Sequence, residues 1–323
     1  MISTFQIPTD ITSKISLVEH KMLDETDNYN PDLKKALQVL LSSGGKRIRP
    51  LIILLIGSML NGPVEEIINL ATAIELLHTA TLVHDDLIDG SLLRRGVPTL
   101  NSHWSPAATI LTGDFLFSRA ASLAANTNHF EVIKLFSNTL SIIVNGEINQ
   151  LFSSRCNPSK TDYFNKIYAK TSSLFETAAQ SASILSRATS DQIEAFRKYG
   201  YSLGMAFQVV DDILDYVGDT TKVGKPVGED LRQGLITMPM LYYIESNPTD
   251  KVVINLLNHK CIEDESELQR VINEIKSSDA IENSFTDARR FADQAINCLA
   301  IFSDGIYKDC LKSIAGYTVE RRV

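Results

Sequence analysis

Apolar residues recur at every third or fourth position along most of the chain, which is the spacing that lines one face of an α-helix. The pattern predicts long helices over 64–88, 130–154, 161–186, 190–216 and 279–302. Thr161 and Asp162 supply a cap region for the third of these helices. Residues 51–60 are apolar almost throughout and too few to span a bilayer, so we expect a buried helix there. Because no stretch reads convincingly as a strand, the pattern predicts one all-α domain over residues 1–323.

Two acidic clusters interrupt the apolar pattern, HDDLIDG at 84–90 and VDDILDY at 210–216. Each places three aspartates at positions i, i+1 and i+4 near the end of a predicted helix. They are Asp85, Asp86 and Asp89 in the first cluster and Asp211, Asp212 and Asp215 in the second. On a helix the outer two aspartates share a face, and the middle one stands about 100° round the axis.

Carboxylates gathered near a helix C-terminus face the negative end of the helix dipole, so a cation must offset them. Mg²⁺ prefers hard oxygen ligands and bridges them to substrate phosphates. A single acidic cluster is often just a solvated helix end. Two copies, each within an apolar helix, favour a metal-lined mouth between two facing helices instead. A structural calcium site is a lesser alternative, because the EF-hand ligand pattern is missing.

The basic residues are informative because the chain is acidic overall, with a formal net charge of −8. This balance argues against a nucleic-acid partner. Groups suited to phosphate fall in a few places. They are Lys46, Arg47 and Arg49 in SGGKRIRP, Arg94 and Arg95 after the first acidic cluster, and Lys170, Thr171, Gln208 and Lys225 further on. A solvated surface position suits Arg47 well. His78 lies seven residues before Asp85, nearly on its helix face, and fits either a phosphate contact or an ordinary core position.

Five motifs in this order resemble the trans-isoprenyl diphosphate synthases, or polyprenyl synthetases. They are GGKRIRP (44–50), HTATLVHDDLIDGSLLRRGVPT (78–99), KT (170–171), FQVVDDILD (207–215) and GKPVGEDL (224–231). The similarity covers about residues 30–320. It implies a single isoprenoid-synthase-type helical bundle around a deep central cavity, in a homodimer. It also implies a Mg²⁺-dependent prenyltransferase that ionises an allylic diphosphate, adds isopentenyl diphosphate to the cation and then eliminates a proton.

The resemblance assigns roles by position. Three Mg²⁺ ions would be held with the bound diphosphate by Asp85, Asp89 and Asp211, with Asp86, Asp212 and Asp215 in support. The allylic diphosphate would be contacted by Arg94, Lys170, Thr171, Gln208 and Lys225, and isopentenyl diphosphate by Lys46, Arg49, His78 and Arg95. Many relatives have a Gly-Lys step after GEDL, whereas this chain has Gly234-Leu235; Arg232 stands near enough to compensate.

Three other functions compete with this interpretation. A terpene cyclase of the same fold ionises a similar substrate, but such enzymes usually keep only one intact aspartate motif. A geranylgeranyl (C20) diphosphate synthase is a closer competitor. A non-catalytic subunit of a heteromeric synthase would be expected to have lost carboxylates, and all six are present here.

The remaining features indicate a cytoplasmic protein. Cys156, Cys261, Cys298 and Cys310 are far apart and lack metal-ligand spacing, so we expect reduced thiols. The N-terminal residues do not form a secretory signal pattern, and we expect no stable membrane anchor. Transient membrane contact at release is consistent with a long apolar product.

The residues one turn before Asp85 bear on product length. In the family, a bulky aromatic four or five residues before the first aspartate stops chain growth early. Ala80 and Thr81 occupy those positions here and are both small, which predicts a product longer than C20. Substituting Ala80 by Phe or Tyr should therefore shorten the product. Chain lengths read after dephosphorylation test this, and an unchanged distribution would count against Ala80 as a lining residue.

Overall fold

The protein is described by a computed structural model that covers residues 7–25, 30–42, 45–94, 96–152, 159–218, 227–258, 262 and 264–321. The α-helices of this part of the chain are α1 (Thr9–Asp24), α2 (Pro31–Ser42), α3 (Ile48–Met59), α4 (Val64–Ile88), α5 (Pro106–Ala125), α6 (Phe130–Phe152), α7 (Lys160–Ile167), α8 (Ser173–Leu185), α9 (Ser190–Val217), α10 (Glu229–Arg232), α11 (Met238–Ser246), α12 (Lys251–Leu257), α13 (Glu265–Ser277), α14 (Ala280–Cys298) and α15 (Ile306–Glu320). The all-α prediction is confirmed.

Within the described ranges, the strands are limited to one small hairpin that the sequence pattern did not predict. Strand β1 (Leu93–Arg94) pairs antiparallel with β2 (Val97–Pro98), with Arg94 opposite Val97. Short 3₁₀ turns cover Leu100–Ser102 and Leu299–Ile301.

The chain divides into two compact units. The first comprises Met1–Thr139, Leu174–Gly200 and Cys298–Ser313, and the second comprises Leu140–Ser173, Tyr201–Asn297 and Ile314–Val323. The expectation of one domain over the whole chain stays a prediction.

Helices α3 and α4 form the core of the first unit. Residues 51–56 of α3 have no solvent exposure, which confirms the buried helix predicted there. Helix α4 is buried along most of its length and packs against α3 and α5. A helix that is apolar on all sides belongs in a core, where each fully buried Leu or Ile contributes about 1.5–3 kcal/mol.

Among the described helices, α4 is long and apolar enough to cross a membrane by length and composition. Its most apolar window is 72% buried inside the protein. Core helices of folded domains pass the same test, and burial of this degree is typical of them.

The second unit is built around the last turns of α9 and the amphipathic helices α13 and α14. Leu268, Val271, Ile272 and Ile275 form the buried stripe of α13 at three- and four-residue spacing. They pack in a cluster with Tyr216 near the end of α9. The Asp264 side chain accepts a hydrogen bond from the Ser266 N–H and so caps the start of α13.

The predicted helix 161–186 differs from the structure in two ways. Its cap is Ser159, whose hydroxyl accepts a bond from the Asp162 N–H, so the expected cap at Thr161 and Asp162 is wrong by two residues. Its middle is a π-helix over Tyr168–Ser172, which separates α7 from α8. Gly204 allows this wider turn to approach α9, because a Cβ there would lie 2.6 Å from the Ser172 Cα. The Ser172 hydroxyl also donates to the Tyr201 carbonyl, at 2.7 Å.

Two of the four cysteines lie in the described residues. Cys298 is half-buried and Cys310 is buried, and both are free thiols, as expected. Burial raises the pKa of the Cys310 thiol to about 11, which makes it unreactive near neutral pH. Cys156 and Cys261 lie outside the described residues.

Arg47 fastens the start of α3 to α4. Its Nη1 lies 2.9 Å from Oε1 of Glu75, which is only 4% exposed, and its Nε lies 3.2 Å from Oε1 of Glu19. The solvated position suggested for Arg47 is therefore wrong. Since Glu75 and His78 are one turn apart on α4, this ion pair sets the segment around Lys46 beside the turn that carries His78.

The Arg47–Glu75 pair should contribute strongly to stability. Arg47→Met leaves the buried Glu75 carboxylate without its cation, and we expect the free energy of unfolding in urea to fall by about 3 kcal/mol. Glu19→Gln, which removes a half-exposed partner of the same arginine, should cost less than about 1 kcal/mol. If both variants lost the same free energy of unfolding, the buried Arg47–Glu75 pair would contribute no more to stability than the exposed contact with Glu19.

Candidate active site

The first aspartate cluster lies where α4 ends. Gly90 has a φ of +64°, and its N–H bonds to the Leu87 carbonyl at 3.2 Å. The Ser91 N–H bonds to the Asp86 carbonyl at 2.9 Å. These two bonds form a Schellman motif, in which the left-handed residue is usually glycine. Asp89 is therefore the last residue of the helical path and is exposed, whereas Asp85 is half-buried one turn earlier.

Asp86 is buried and held by Arg94. The Nε and Nη2 atoms of Arg94 lie 2.9 and 2.8 Å from Oδ1 of Asp86, and Nε is also 2.9 Å from Oδ2. The β1–β2 hairpin presents this arginine, and Thr99 ties the hairpin back by donating from its hydroxyl to the Ser91 carbonyl at 2.7 Å. Fork-shaped contacts of this kind are strong and directional. A contact of Arg94 with the allylic diphosphate stays a prediction.

His84 packs against α5. Its Nε2 lies 3.1 Å from the Ile110 carbonyl, and its ring meets Phe117 edge-on with 5.2 Å between centroids. Gly113 makes this approach possible, because a Cβ there would lie 2.2 Å from His84 Nε2. The histidine of HDDLIDG therefore helps to fix α4 against α5.

The described residues expected at the isopentenyl diphosphate lie at the start of α3 and in the second half of α4, in the first unit. Lys46 is exposed and His78 half-buried, whereas Arg49 is largely buried with its guanidinium carbon 4.3 Å from the centre of the Phe175 ring. Stacking on an aromatic face fixes the plane of a guanidinium. Arg95 and Lys225 lie outside the described residues.

In the second unit, the KT motif and the second aspartate cluster form one chain of hydrogen bonds. The Thr171 hydroxyl donates to Oε1 of Gln208 at 2.6 Å. Nε2 of Gln208 donates to Oδ1 of Asp212 at 2.7 Å, and the Tyr163 hydroxyl donates to Oδ2 of Asp212 at 2.7 Å. The chain links the π-helix, α9 and α7, so three predicted residues and one unpredicted residue lie together.

Asp215 binds the short helix α10. Its Oδ1 and Oδ2 accept the backbone N–H groups of Glu229 and Asp230 at 3.3 and 3.1 Å. The loop reaches this position because Gly228 adopts a φ of +77°, and a Cβ there would also lie 2.3 Å from Ile272. The GED of GKPVGEDL thus lies beside the second aspartate cluster, although no role was assigned to Asp230 from the sequence.

Asp211 has an arginine partner as well. Nη1 of Arg321 lies 3.1 Å from Oδ1 of Asp211. The guanidinium carbon of Arg321 lies 4.2 Å from the centre of the Phe207 ring, and its Nε donates to the Thr318 carbonyl at 3.2 Å. The arginine is thus fixed from several sides, and nothing in the local sequence pairs it with Asp211.

Lys170 lies 3.3 Å from Oε1 of Glu147 on α6. Lys166, one turn before it, is largely buried, and this burial lowers the pKa of its amine, whereas the nearby Asp212 carboxylate acts to raise it.

Arg232, the candidate to replace the missing Gly-Lys lysine, instead pairs with Glu265 and, at 3.7 Å, with Glu229.

Burial dominates the electrostatics of the second cluster. It raises the pKa of Asp212 and that of Asp215, each to about 7, and the nearby Asp230 carboxylate adds to both shifts. Hydrogen bonds from Tyr163 and Gln208 act in the opposite direction on the pKa of Asp212. A cation bound here must therefore displace protons near neutral pH.

The donor set fits Mg²⁺. Within either unit, no three His, Cys, Asp or Glu side chains of the described residues form a complete metal site. Mg²⁺ usually takes only one or two carboxylates, together with waters and substrate phosphates. Asp85, Asp89 and Asp211 are exposed or half-exposed and offer hard oxygen ligands of this kind, whereas Asp212 is enclosed by its hydrogen-bond partners.

The two proposed chain-length residues differ in their surroundings. Ala80 is fully buried, so a ring introduced there must displace packed neighbours. Thr81 is half-buried, and its hydroxyl donates to the His78 carbonyl at 2.7 Å. A product shift in an Ala80 variant should therefore be read together with its stability.

Comparison with known proteins places the chain in a family. The polyprenyl synthetase family profile matches residues 30–275. The octaprenyl diphosphate synthase of Haemophilus influenzae is 36% identical over 289 residues, which cover 87% of this chain and 86% of that protein. Heptaprenyl diphosphate synthase component 2 of Bacillus subtilis is 33% identical over 313 residues, covering 97% of this chain and 89% of that protein.

Solved structures agree. A heptaprenyl diphosphate synthase from Staphylococcus aureus superposes with a TM-score of 0.91 at 30% identity, covering 97% of this chain and 99% of that one. A polyprenyl synthase from Caulobacter crescentus, crystallised with calcium and isoprenyl diphosphate, has a TM-score of 0.89 at 32% identity, with coverage of 97% and 96%. A geranylgeranyl pyrophosphate synthase from Lactobacillus brevis has a TM-score of 0.88 at 28% identity, with coverage of 97% and 98%.

The relatives and solved structures match 87–97% of the chain, and the family profile spans the segments that carry both aspartate clusters. The family resemblance of the five motifs is confirmed. The chain belongs to the polyprenyl synthetase family and is a trans-polyprenyl diphosphate synthase.

Proposed function

We propose that this enzyme condenses isopentenyl diphosphate with an allylic diphosphate and extends the chain beyond C20. One observation carries the proposal. In the second unit, Thr171 of the KT motif and Asp212 of the second aspartate cluster are joined through Gln208. A phosphate-binding segment and a metal-binding segment that share hydrogen bonds suit a substrate that carries both a diphosphate and its metal.

The side chains divide the work by charge. Lys170, Thr171 and Arg94 would donate to the allylic diphosphate and stabilise the negative charge that grows as the C–O bond breaks. Lys46, Arg49 and His78 would hold the second diphosphate, so that the double bond of isopentenyl diphosphate faces the allylic cation. The departed diphosphate would accept the proton, and Lys225 and Arg95 complete the proposed phosphate contacts.

The proposal includes three Mg²⁺ ions bound through Asp85, Asp89 and Asp211. Bound magnesium supplies charge neutralisation that makes diphosphate a better leaving group. The arginine that holds Asp86 keeps that carboxylate in place behind the exposed Asp89. On α9, the partners of Asp212 and Asp215 keep those two carboxylates fixed beside Asp211.

Two observations support a product longer than C20. The relatives with the highest identity described above are named octaprenyl and heptaprenyl diphosphate synthases. The small residues Ala80 and Thr81 leave the first turn below Asp85 without an aromatic floor. The Lactobacillus neighbour is named a geranylgeranyl pyrophosphate synthase, so a C20 product is the alternative to test.

Incubation with labelled isopentenyl diphosphate, Mg²⁺ and each allylic primer in turn tests the reaction. We expect a ladder of products that ends beyond C20. Asp89→Asn should lower turnover by about 100-fold or more, because it weakens a ligand of the metal–diphosphate complex. Asp293→Asn makes the same change at an exposed position on α14 and should leave turnover unaltered.

The other outcomes of this assay identify the alternatives. A ladder that ends at C20 would keep the reaction and contradict the long product. Cyclic hydrocarbon without condensation would indicate a terpene cyclase. Mg²⁺-dependent diphosphate binding without any turnover would indicate a non-catalytic subunit.

We also propose that the enzyme is a homodimer. Val144, Ile148 and Leu151 on α6 are all substantially exposed and lie four and three residues apart, so they form one apolar stripe. Stripes of this kind mark association surfaces, and a second copy of the chain is the commonest partner. The name of the Bacillus relative, a component 2, makes a heteromer the alternative.

Sedimentation equilibrium tests the homodimer. The wild-type enzyme should have twice the 35.8 kDa mass of one chain. Ile148→Glu should shift it to the monomer, because it places a charge in the apolar contact. Ile254→Glu alters an equally exposed isoleucine on α12 and should leave the dimer intact. A wild-type chain that is monomeric and inactive alone would favour a heteromer.

The cytoplasmic location and the transient membrane contact at product release stay predictions, as does the absence of a nucleic-acid partner.

A further inference from the structure

Tyr163 contacts the second aspartate cluster, although no motif of the sequence assigned it a role. It lies on α7 and is 5% exposed, so its polar atom is enclosed within the second unit. Its hydroxyl donates to Oδ2 of Asp212 at 2.7 Å. A buried tyrosine needs a partner for its hydroxyl, and here the partner is a carboxylate of the proposed site.

The hydroxyl of Tyr163 occupies Oδ2 of Asp212, and Gln208 donates to the other oxygen, Oδ1. The ionised form of Asp212 only accepts hydrogen bonds, so in that form the amide of Gln208 turns Nε2 toward Oδ1 of Asp212, 2.7 Å away. Oε1 of Gln208 then faces the opposite direction and accepts from the Thr171 hydroxyl at 2.6 Å. The orientation of each group therefore follows from the group before it.

This chain of bonds ends at the π-helix that carries Lys170 and Thr171. Wide turns of this type are often found at functional sites, where they set the direction of one or two side chains. The Thr171 hydroxyl points toward Gln208 because Gln208 is itself held by Asp212. Tyr163 is the member of this chain of bonds that is farthest from Thr171, and it is as buried as Asp212, each being 5% exposed.

We propose that Tyr163 is a positioning residue, whose hydroxyl fixes Asp212 and, through it, the orientation of Gln208 and Thr171 at the allylic diphosphate. The inference rests on the proposed function, because it assigns the purpose of this orientation to the leaving diphosphate. In this proposal Tyr163 acts through Asp212 and not on the substrate itself. Its loss should therefore reduce the stabilisation of developing charge more than it reduces substrate binding.

Tyr163→Phe tests the inference, since it removes only the hydroxyl. Loss of a hydrogen bond to a charged group should lower kcat by roughly tenfold or more, while KM for the allylic diphosphate changes by less than about threefold. Tyr199→Phe is the matched control. Tyr199 is fully buried and donates to the backbone carbonyl of Leu311, so its variant loses the same atom without affecting Asp212.

A double-mutant cycle separates positioning from general stability. In an Asp212→Asn background, Tyr163→Phe should cause little further loss of kcat, because the group it acts on has already changed. Thr171→Val supplies a second background at the other end of the chain, should the Asp212 variant fold poorly. There too the loss caused by Tyr163→Phe should shrink.

Two results would overturn the inference: a kcat for Tyr163→Phe equal to that of Tyr199→Phe, or losses that multiply fully in both backgrounds. Neither result would contradict the proposed condensation reaction of the wild-type enzyme. Failure of the wild-type enzyme to incorporate isopentenyl diphosphate would instead contradict the proposed function.

Discussion

Carboxylates collected near the C-terminal ends of apolar helices repel one another and oppose the helix dipole, and the candidate site is built around this constraint. The structure offsets part of the charge with the protein's own cations. Arg94 binds Asp86 and Arg321 binds Asp211, so one aspartate in each cluster has a guanidinium partner. Asp89 is exposed and Asp85 is half-buried, so both are more accessible to solvent than Asp86.

Hydrogen bonds hold the other carboxylates. Asp212 receives bonds from Tyr163 and Gln208, and Asp215 receives two backbone N–H groups at the start of α10. Burial still raises the pKa of both groups, which shows that these donors do not fully replace water. The middle aspartate of each cluster is thus buried and held by side-chain donors, while the outer aspartates are more accessible.

Close helix packing helps to place the side chains that are proposed to bind phosphate. Gly204 brings the π-helix against α9, and Gly113 brings α5 against His84 on α4. The Arg47–Glu75 pair sets Lys46 and the start of α3 beside the His78 turn. In each case a small residue or a buried ion pair determines how closely two helices approach. The geometry of the site therefore depends on core packing as much as on the polar groups themselves.

The sequence by itself determined the long helices α4, α6, α9 and α14, the buried run in α3, the two aspartate clusters and the family, because helical periodicity and motif spacing are local properties. Only the tertiary structure decided which groups contact the carboxylates. Tyr163 and Arg321 are far from Asp212 and Asp211 along the chain, and their contacts follow from how helices pack. The π-helix at Lys170 was also missed, because it packs against Tyr201 and Gly204, which are distant in sequence. The hairpin that presents Arg94 was missed for a different reason, since its two-residue strands are too short to show an alternating pattern.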